Sequence, residues 1–265
     1  MSCDVYEKLF ISLFMLRVLA LLILFSAGAV AQHEEAVSAY VAGDYDRVVT
    51  LTQTSEQAAD LALSARAVLA GAMSTEMGEP ALSALKQAEA LAREAMMLDE
   101  RHFEARVQLA ISLSLQARPM SNRQAMRSGL GQKSRDIARE ILAEDPNNIY
   151  AHGLLAVWNM EVLRRGGRIG AQFMGASRKS ARQHYADAAA IAPDDGSLHW
   201  QWARVLAATN ARKYASEINS ALNASVTAQT NDALEEVMQG RAARLKTVMD
   251  ADDFVAAKAL ALELL

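Results

Sequence analysis

The sequence predicts an all-α protein, and three properties of its 265 residues support that fold class. Hydrophobic residues make up 52 % of the chain, and many of them are alanine, which loses no side-chain entropy in a helix. Aromatic residues account for 6 %, and just four prolines interrupt the chain. No run of alternating valine, isoleucine and threonine indicates a β-strand. The length suits one large domain or two small ones with a buried core.

The first 31 residues predict an export signal. One cation, Arg17, precedes an apolar stretch that ends in small residues at 29–31, as in a secretory signal with its cleavage site. The residues before Met15 fit this pattern poorly, so we expect translation to begin at Met15. Cleavage would then leave Gln32 as the first residue of the mature protein. The mature part then spans 32–265 and is exported, in the periplasm. The alternative is an uncleaved N-terminal membrane anchor.

An internal repeat follows. The alanine-rich segments 92–105, 138–151 and 185–198 align, and each ends one helix, passes a polar turn and begins another. Pro146 and Pro193 stand at the start of two of these turns, where proline stops one helix and tolerates the next. A large apolar residue followed by alanine recurs early in the first helix of each unit. These markers are Leu69-Ala70, Leu109-Ala110, Leu155-Ala156 and Trp202-Ala203.

The repeated pattern resembles the tetratricopeptide repeat, whose period is 34 residues. The resemblance implies a right-handed α-solenoid of degenerate helix pairs, four to five in number, over residues 32–265. A segment that begins at Arg168 is also similar to the repeat domain of the regulator-of-microtubule-dynamics family, which carries an insertion between paired helices. The positions that match the repeat best are Ala156, Ala181, Tyr185, Ala188 and Pro193.

The resemblance also implies a binding surface, because the first helices of such repeats line the concave side of the stack. Carried onto this sequence, that surface includes Glu104, Tyr150, Trp200 and Arg204. Tyrosine, tryptophan and arginine are the residue types that dominate binding hot spots. We therefore expect a scaffold that binds a protein or peptide partner there. For Trp200, packing between repeats is an equal alternative.

Charge is unevenly distributed along the chain. Residues 105–186 hold 13 Lys+Arg and 5 Asp+Glu, a net of +8 in a chain whose net charge is −4. Most of these cations lie in two insertions between paired helices, and equivalent insertions emerge on one edge of a stack. A basic ridge there would bind anionic lipid or a polyanion, which is the alternative function; a merely solvated surface is equally compatible. The expected ridge consists of Arg123, Arg127, Lys133, Arg164, Arg165, Arg168, Arg178 and Lys179.

The sequence contains few motifs that are typical of catalysis or of phosphate or metal binding. The segment 164–179, "RRGGRIGAQFMGASRK", has glycines that would let backbone amides approach a phosphate. It follows a helical pattern rather than a strand, so we expect Gly166 and Gly167 to end a helix, with the two arginines before them facing its dipole. The five histidines lack the spacing of a zinc site on one helix. His152 and His199 are expected to pack or cap just after the proline turns.

These observations together exclude most catalytic classes. The sole cysteine, Cys3, lies ahead of the signal, so the mature chain would contain no thiolate. A solenoid is also expected to lack an enclosed pocket with converging acid and base groups. We therefore expect no enzyme activity, no cofactor and no metal. An exported protein with net negative charge is not expected to bind nucleic acid.

Overall fold

The computed structural model describes residues 30–75 and 78–264, and within these residues every regular element is a helix. The predicted export signal lies outside the described residues except for its last two positions. None of the described helices has the length and apolar character needed to cross a membrane. In chain order the helices are α1 (30–41), α2 (Tyr45–Thr52), α3 (Ala58–Met73), α4 (Leu82–Leu98), α5 (Phe103–Ala117), α6 (Asn122–Ser128), α7 (Leu130–Glu144), α8 (Ile149–Met174), α9 (Arg178–Ile191), α10 (Gly196–Asn210), α11 (Ala215–Thr227), α12 (Ala233–Asp250) and α13 (Phe254–Glu263).

The helices pack in a repeating order. Helices α3, α5, α8, α10 and α12, here called the inner helices, each contact the next member of the set. Helices α4, α7, α9 and α11 each pack against the two inner helices that flank them in the sequence. The all-α prediction is therefore confirmed, and each inner helix has a partner that follows it along the chain.

The two proline turns lie where the sequence predicts them. Helix α7 ends at Glu144, and Asn148 caps α8 by accepting a hydrogen bond from the backbone N–H of Ala151. Helix α9 ends at Ile191, and Asp195 caps α10 in the same way. Each cap gives an acceptor to an N–H that has no partner inside its helix, which stabilises the helix by about 1 kcal/mol.

Small residues allow the helices to approach closely. The predicted small positions Ala156, Ala181 and Ala188 are all buried. Where the repeat has large residues instead, they stack: the rings of Tyr185 on α9 and Trp202 on α10 lie 4.7 Å apart with their planes 13° from parallel. The alternation of large and small side chains therefore sets the packing between neighbouring helices.

Two insertions each separate an inner helix from its partner, and each contacts a helix of the neighbouring pair. The first contains α6, and the second follows Gly167, whose φ of +60° breaks α8 as predicted. The side-chain amide of Asn122 donates to the backbone carbonyl of Arg165 at 2.9 Å. Arg135 donates to the carbonyl of Met174 at 3.1 Å. Each insertion is thus held against a helix of the neighbouring pair.

The first and last inner helices are joined, although they are far apart in the sequence. The buried guanidinium of Arg241 on α12 donates to the carbonyl oxygens of Met73 and Thr75, at 2.7 and 2.6 Å. Leu234, also on α12, packs against the core formed by α1, α2 and α3. At the C-terminal end of α5, Arg118 donates to the carbonyl of Leu262 on α13 at 2.8 Å. These contacts close the row of helices around a central space.

Candidate functional site

The inner helices surround a cavity of about 400 Å³, a volume typical of small-molecule sites. Apolar side chains from all five inner helices line its middle. Tyr150 lines one end and is 46 % exposed, so the cavity opens to solvent there. A cavity of this size was not predicted from the sequence. The apolar lining includes Leu69, Ile111, Leu154, Val157, Leu198 and Met238.

Helix α8 shows how the sequence builds this wall. Tyr150, Gly153, Val157, Glu161 and Arg165 recur every three or four residues, so they share one face of the helix, and all of them line the cavity. A Cβ atom at position 153 would lie 3.2 Å from the Cδ1 atom of a leucine on α10. Glycine there allows α8 and α10 to approach closely.

One end of the cavity is predominantly acidic. It is formed where α5, α8, α10 and α12 begin, and Arg66 of α3 is its cation. The Arg66 guanidinium lies 3.8 Å from Glu104 and 3.9 Å from Asp232, and it donates to the Tyr40 hydroxyl at 3.0 Å. Burial would lower the pKa of Arg66, but Tyr40, Glu104 and Tyr150 outweigh burial and raise it. Arg66 therefore stays charged.

The other end is rich in arginine. Arg204 on α10 is buried, donates to the side chain of Gln201 at 3.0 Å, and lies 3.8 Å from Glu161. Burial and the nearby Arg118 and Arg164 lower the pKa of Arg204 to about 10, while Glu161 opposes that change. The guanidinium is therefore charged at neutral pH. Positive charge exceeds negative charge at this end.

Arg118 is incompletely satisfied at the arginine-rich end. Its Nε lies 3.0 Å from Glu79, and one terminal nitrogen donates to the carbonyl of Leu262. The other terminal nitrogen, Nη1, is buried and has no hydrogen-bond partner among the described residues. A buried N–H without an acceptor costs about 1–3 kcal/mol, so this position favours an anionic or polar guest.

Two of the eight predicted ridge residues face inward instead. Arg164 pairs with Glu161 at 2.6 Å. Arg165 donates to the carbonyl oxygens of Ala117 and Arg118, at 3.1 and 3.3 Å, and to that of Met120. Those carbonyls lie at the C-terminal end of α5, so the arginine compensates the dipole of another helix rather than its own. The six exposed ridge residues are Arg123, Arg127, Lys133, Arg168, Arg178 and Lys179.

The exposed cations accompany apolar side chains that the sequence analysis missed. Ile169 is 86 % exposed and Phe173 is 76 % exposed, and both lie in the second insertion. They are four residues apart in a short helical segment, so they share a face. Met126 of α6, in the first insertion, is also exposed. The i, i+4 spacing of two large apolar residues after a helix-breaking glycine is the signal that could have revealed this patch.

The predicted partner-binding residues have different surroundings. Tyr150 and Arg204 line the cavity, and Glu104 lies beside it in contact with Arg66. Trp200 does not line the cavity, because it is 0 % exposed and belongs to the core between α10 and its neighbours. The cavity side of α10 is instead occupied by residues 197, 198, 201 and 204. Trp200 therefore fulfils the packing alternative and cannot contact a partner directly.

The two equivalent histidines pack as the sequence predicts. Both are buried, and each Nε2–H donates to a proline carbonyl, His152 to Pro146 at 3.0 Å and His199 to Pro193 at 2.8 Å. His199 Nδ1 is 2.8 Å from the hydroxyl of Tyr185, whose pKa burial raises to about 12. The phenol is therefore the donor in that pair.

The chain matches no protein-family model, and no curated protein is significantly similar to it. Function is therefore inferred from the cavity, its two charged ends and the surface patch.

Replacing Glu161 by glutamine should destabilise the protein at neutral pH. Burial would raise the pKa of Glu161, but Arg204 and Arg164 outweigh burial and hold it below 4.5. The ionised carboxylate thus stabilises the fold above that pH. Its loss leaves buried Arg204 without a close counterion, so we expect Glu161→Gln to lower the free energy of unfolding by about 3 kcal/mol at pH 7.

The difference between Glu161→Gln and the unmodified protein should shrink as the pH falls below 4.5, because protonated glutamate is as neutral as glutamine. Urea denaturation at several pH values measures this. The matched control is Glu217→Gln, which removes a surface ion pair with Arg182 and should cost at most about 1 kcal/mol. Equal losses for both variants would contradict the role of Glu161.

Proposed function

We propose that this protein is a non-catalytic binding protein that holds an elongated amphiphile, an apolar chain with one acidic group, inside its central cavity. In this proposal the chain is a tetratricopeptide-like right-handed solenoid whose helix pairs close on themselves. The observation that carries the proposal is an apolar cavity that ends in an arginine cluster with one unpartnered buried N–H. Export to the periplasm, expected from the first 31 residues, stays a prediction.

The dimensions of the cavity favour an elongated ligand. Asp195 lies at the acidic end and Arg204 at the arginine-rich end of the same helix face. With a rise of 1.5 Å per residue, these positions are about 13 Å apart along α10. Tyr150 and Arg165 on α8 are about 22 Å apart by the same rule. The side chains in the interval are mainly apolar, although Ser197 and Gln201 also line it on α10, so the apolar part of the ligand would lie between the two charged ends.

The lining favours an amphiphile over the peptide partner that the sequence suggests. Every residue of an extended peptide brings a backbone N–H and C=O that need hydrogen-bond partners once buried. The middle of the cavity offers mainly leucine, isoleucine, valine and methionine side chains, and Gln108, Ser114 and Gln201 are among its few polar ones. An alkyl chain needs no hydrogen bonds there, and its acidic group would pair with the arginines.

The composition of the lining supports binding without chemistry. Neither histidine nor cysteine is among the described residues that surround the cavity. The charged groups at its two ends are mostly paired with one another, as Glu161 is with Arg164 and Arg66 with Tyr40. Such groups orient a ligand rather than transfer protons.

Filling the cavity should abolish ligand binding. We use oleate as the probe and expect Val157→Trp to weaken its binding by at least about tenfold, because the indole occupies the apolar middle. Val255→Trp is the matched control: it makes the same substitution on α13 at a position that is 83 % exposed and outside the cavity. Isothermal titration calorimetry compares the two. Equal affinities in both variants would place oleate outside the cavity.

Comparing oleate with oleyl alcohol tests whether the acidic group of the ligand pairs with the arginines. The unmodified protein should bind oleate more tightly, and Arg204→Met should remove that preference while oleyl alcohol binding persists. Tighter binding of the alcohol by the unmodified protein would contradict pairing with the arginines. Saturable binding of an extended peptide that Val157→Trp abolishes would instead favour a peptide partner.

A second candidate function is docking on an anionic membrane surface, and exposed Ile169 and Phe173 favour it. These two large apolar side chains share one face and could insert between lipid headgroups. Three exposed cations of the same region, Arg168, Arg178 and Lys179, would attract anionic headgroups. Cations near an anionic leaflet contribute about 1 kcal/mol each. Gly170 of the same insertion lines the cavity beyond Arg165, so docking would place the arginine-rich end of the cavity near the lipid. The apolar pair favours lipid over a soluble polyanion.

Vesicle binding separates docking from a solvated surface. We expect the protein to cosediment with vesicles that contain phosphatidylglycerol more than with pure phosphatidylcholine, and salt to weaken the binding. Phe173→Asp and Arg168→Glu should each reduce it. Val255→Asp, which alters an equally exposed valine on α13, should not. If Phe173→Asp and Val255→Asp bind alike, the patch is not a membrane surface.

A further inference from the structure

Three metal-type ligands converge outside the cavity. His152 comes from the first turn of α8, and His184 and Asp187 come from one face of α9, three residues apart. His152 Nδ1 lies 3.0 Å from His184 Nδ1 and 4.0 Å from Asp187 Oδ2. One ligand atom from each residue lies within 4.8 Å of the others. The spacing test on the sequence could not find this group, because it considered ligands on a single helix.

These distances suit a shared ion. Zinc binds histidine nitrogen and carboxylate oxygen at about 2.0–2.2 Å, so two ligand atoms of a tetrahedral site are separated by about 3.3–3.6 Å. The two imidazole nitrogens lie 3.0 Å apart, so they need to separate by only a few tenths of an ångström to hold such an ion. The carboxylate of Asp187 is partly exposed, and a small side-chain rotation would bring Oδ2 to the same distance. Its other oxygen, Oδ1, accepts a hydrogen bond from Gln183 at 2.8 Å, which orients the group.

The hydrogen bonds of His152 fix which nitrogen is available. A carbonyl oxygen can only accept, so the contact of Nε2 with the Pro146 carbonyl at 3.0 Å places the ring proton on Nε2. In the neutral ring Nδ1 then carries a lone pair directed at His184. A carbonyl that holds the far nitrogen of a histidine is the usual support of a metal ligand. In the absence of an ion, the Nδ1–H of His184 donates to the lone pair on His152 Nδ1. When an ion is bound, it takes the place of the proton between these two nitrogens.

The next repeat provides an internal comparison. His199 occupies the equivalent place, and its Nε2 contacts the Pro193 carbonyl at 2.8 Å in the same manner. Its Nδ1, however, accepts a hydrogen bond from the hydroxyl of Tyr185 at 2.8 Å, so no lone pair is left for an ion. The histidine–carbonyl contact is therefore shared by both repeats, whereas the pair of ligands on α9 is particular to His152.

We propose that His152, His184 and Asp187 bind a divalent transition-metal ion such as zinc, with the remaining coordination positions open to water. Two histidines and one carboxylate are a common ligand set for zinc and for other first-row metals. The ion would join the start of α8 to α9 across the unit that carries the longer insertion. It would thereby stabilise the folded state without any role in the cavity.

Zinc titration of the tag-free, chelator-treated protein tests this site. We expect one saturable zinc ion per chain by isothermal titration calorimetry and a higher melting temperature in its presence. His184→Ala should weaken zinc binding by at least about 100-fold and remove the thermal shift. The matched control, His102→Ala, alters a helix-capping histidine on α5 and should retain both.

Asp187→Asn provides a second variant that should fold normally, because the Asp187 side chain is partly exposed and asparagine has nearly the same volume. It should bind zinc more weakly than the unmodified protein while unfolding at the same temperature in the absence of metal. Saturable zinc binding that is equal in His184→Ala and the unmodified chain would overturn the proposal. No saturable binding by the unmodified chain would overturn it as well.

Discussion

The structure depends on buried and partly buried arginines that donate hydrogen bonds to the C-terminal carbonyls of other helices. Arg241 does so at the end of α3, Arg165 at the end of α5 and Arg118 at the end of α13. Each guanidinium satisfies carbonyls that have no partner inside their helix and compensates the negative end of its dipole. Hydrogen bonds to charged groups contribute about 1.5–3 kcal/mol each. Side chains of this kind connect helices that are not neighbours in the sequence.

This closure gives the inner face its chemistry. Stacked helix pairs with free ends present a concave surface, whereas the contacts of α12 with α3 turn that surface into a cavity. Because the inner helices begin at one end and finish at the other, residues from equivalent turns collect at the same level. Glu104, Asp195 and Asp232 collect near the beginnings of the helices, and Arg118 and Arg204 near their ends. Apolar turns lie between the two levels.

Local features were predictable from the sequence, and contacts between distant segments were not. Alanine content, two proline turns and the glycine break at 167 depend on a few neighbouring residues, so their patterns indicated helices and helix ends correctly. Arg165 was misplaced, and packing could not be distinguished from partner binding for Trp200, because the direction of a side chain depends on which helices pack beside it. The bond from Arg241 to Met73 spans 168 residues, and no periodicity records such a pairing.

The measurement that tests this account most directly is the distance between the two ends of the helix row. Nitroxide labels at Thr75→Cys and Arg244→Cys, with Cys3 replaced by serine, report it by pulsed electron paramagnetic resonance. Both positions are exposed and flank the contact made by Arg241. The account predicts one short, narrow distance that lengthens and broadens when Arg241→Ala is added. A long or broad distribution in the chain with Arg241 intact would contradict closure, and with it the cavity.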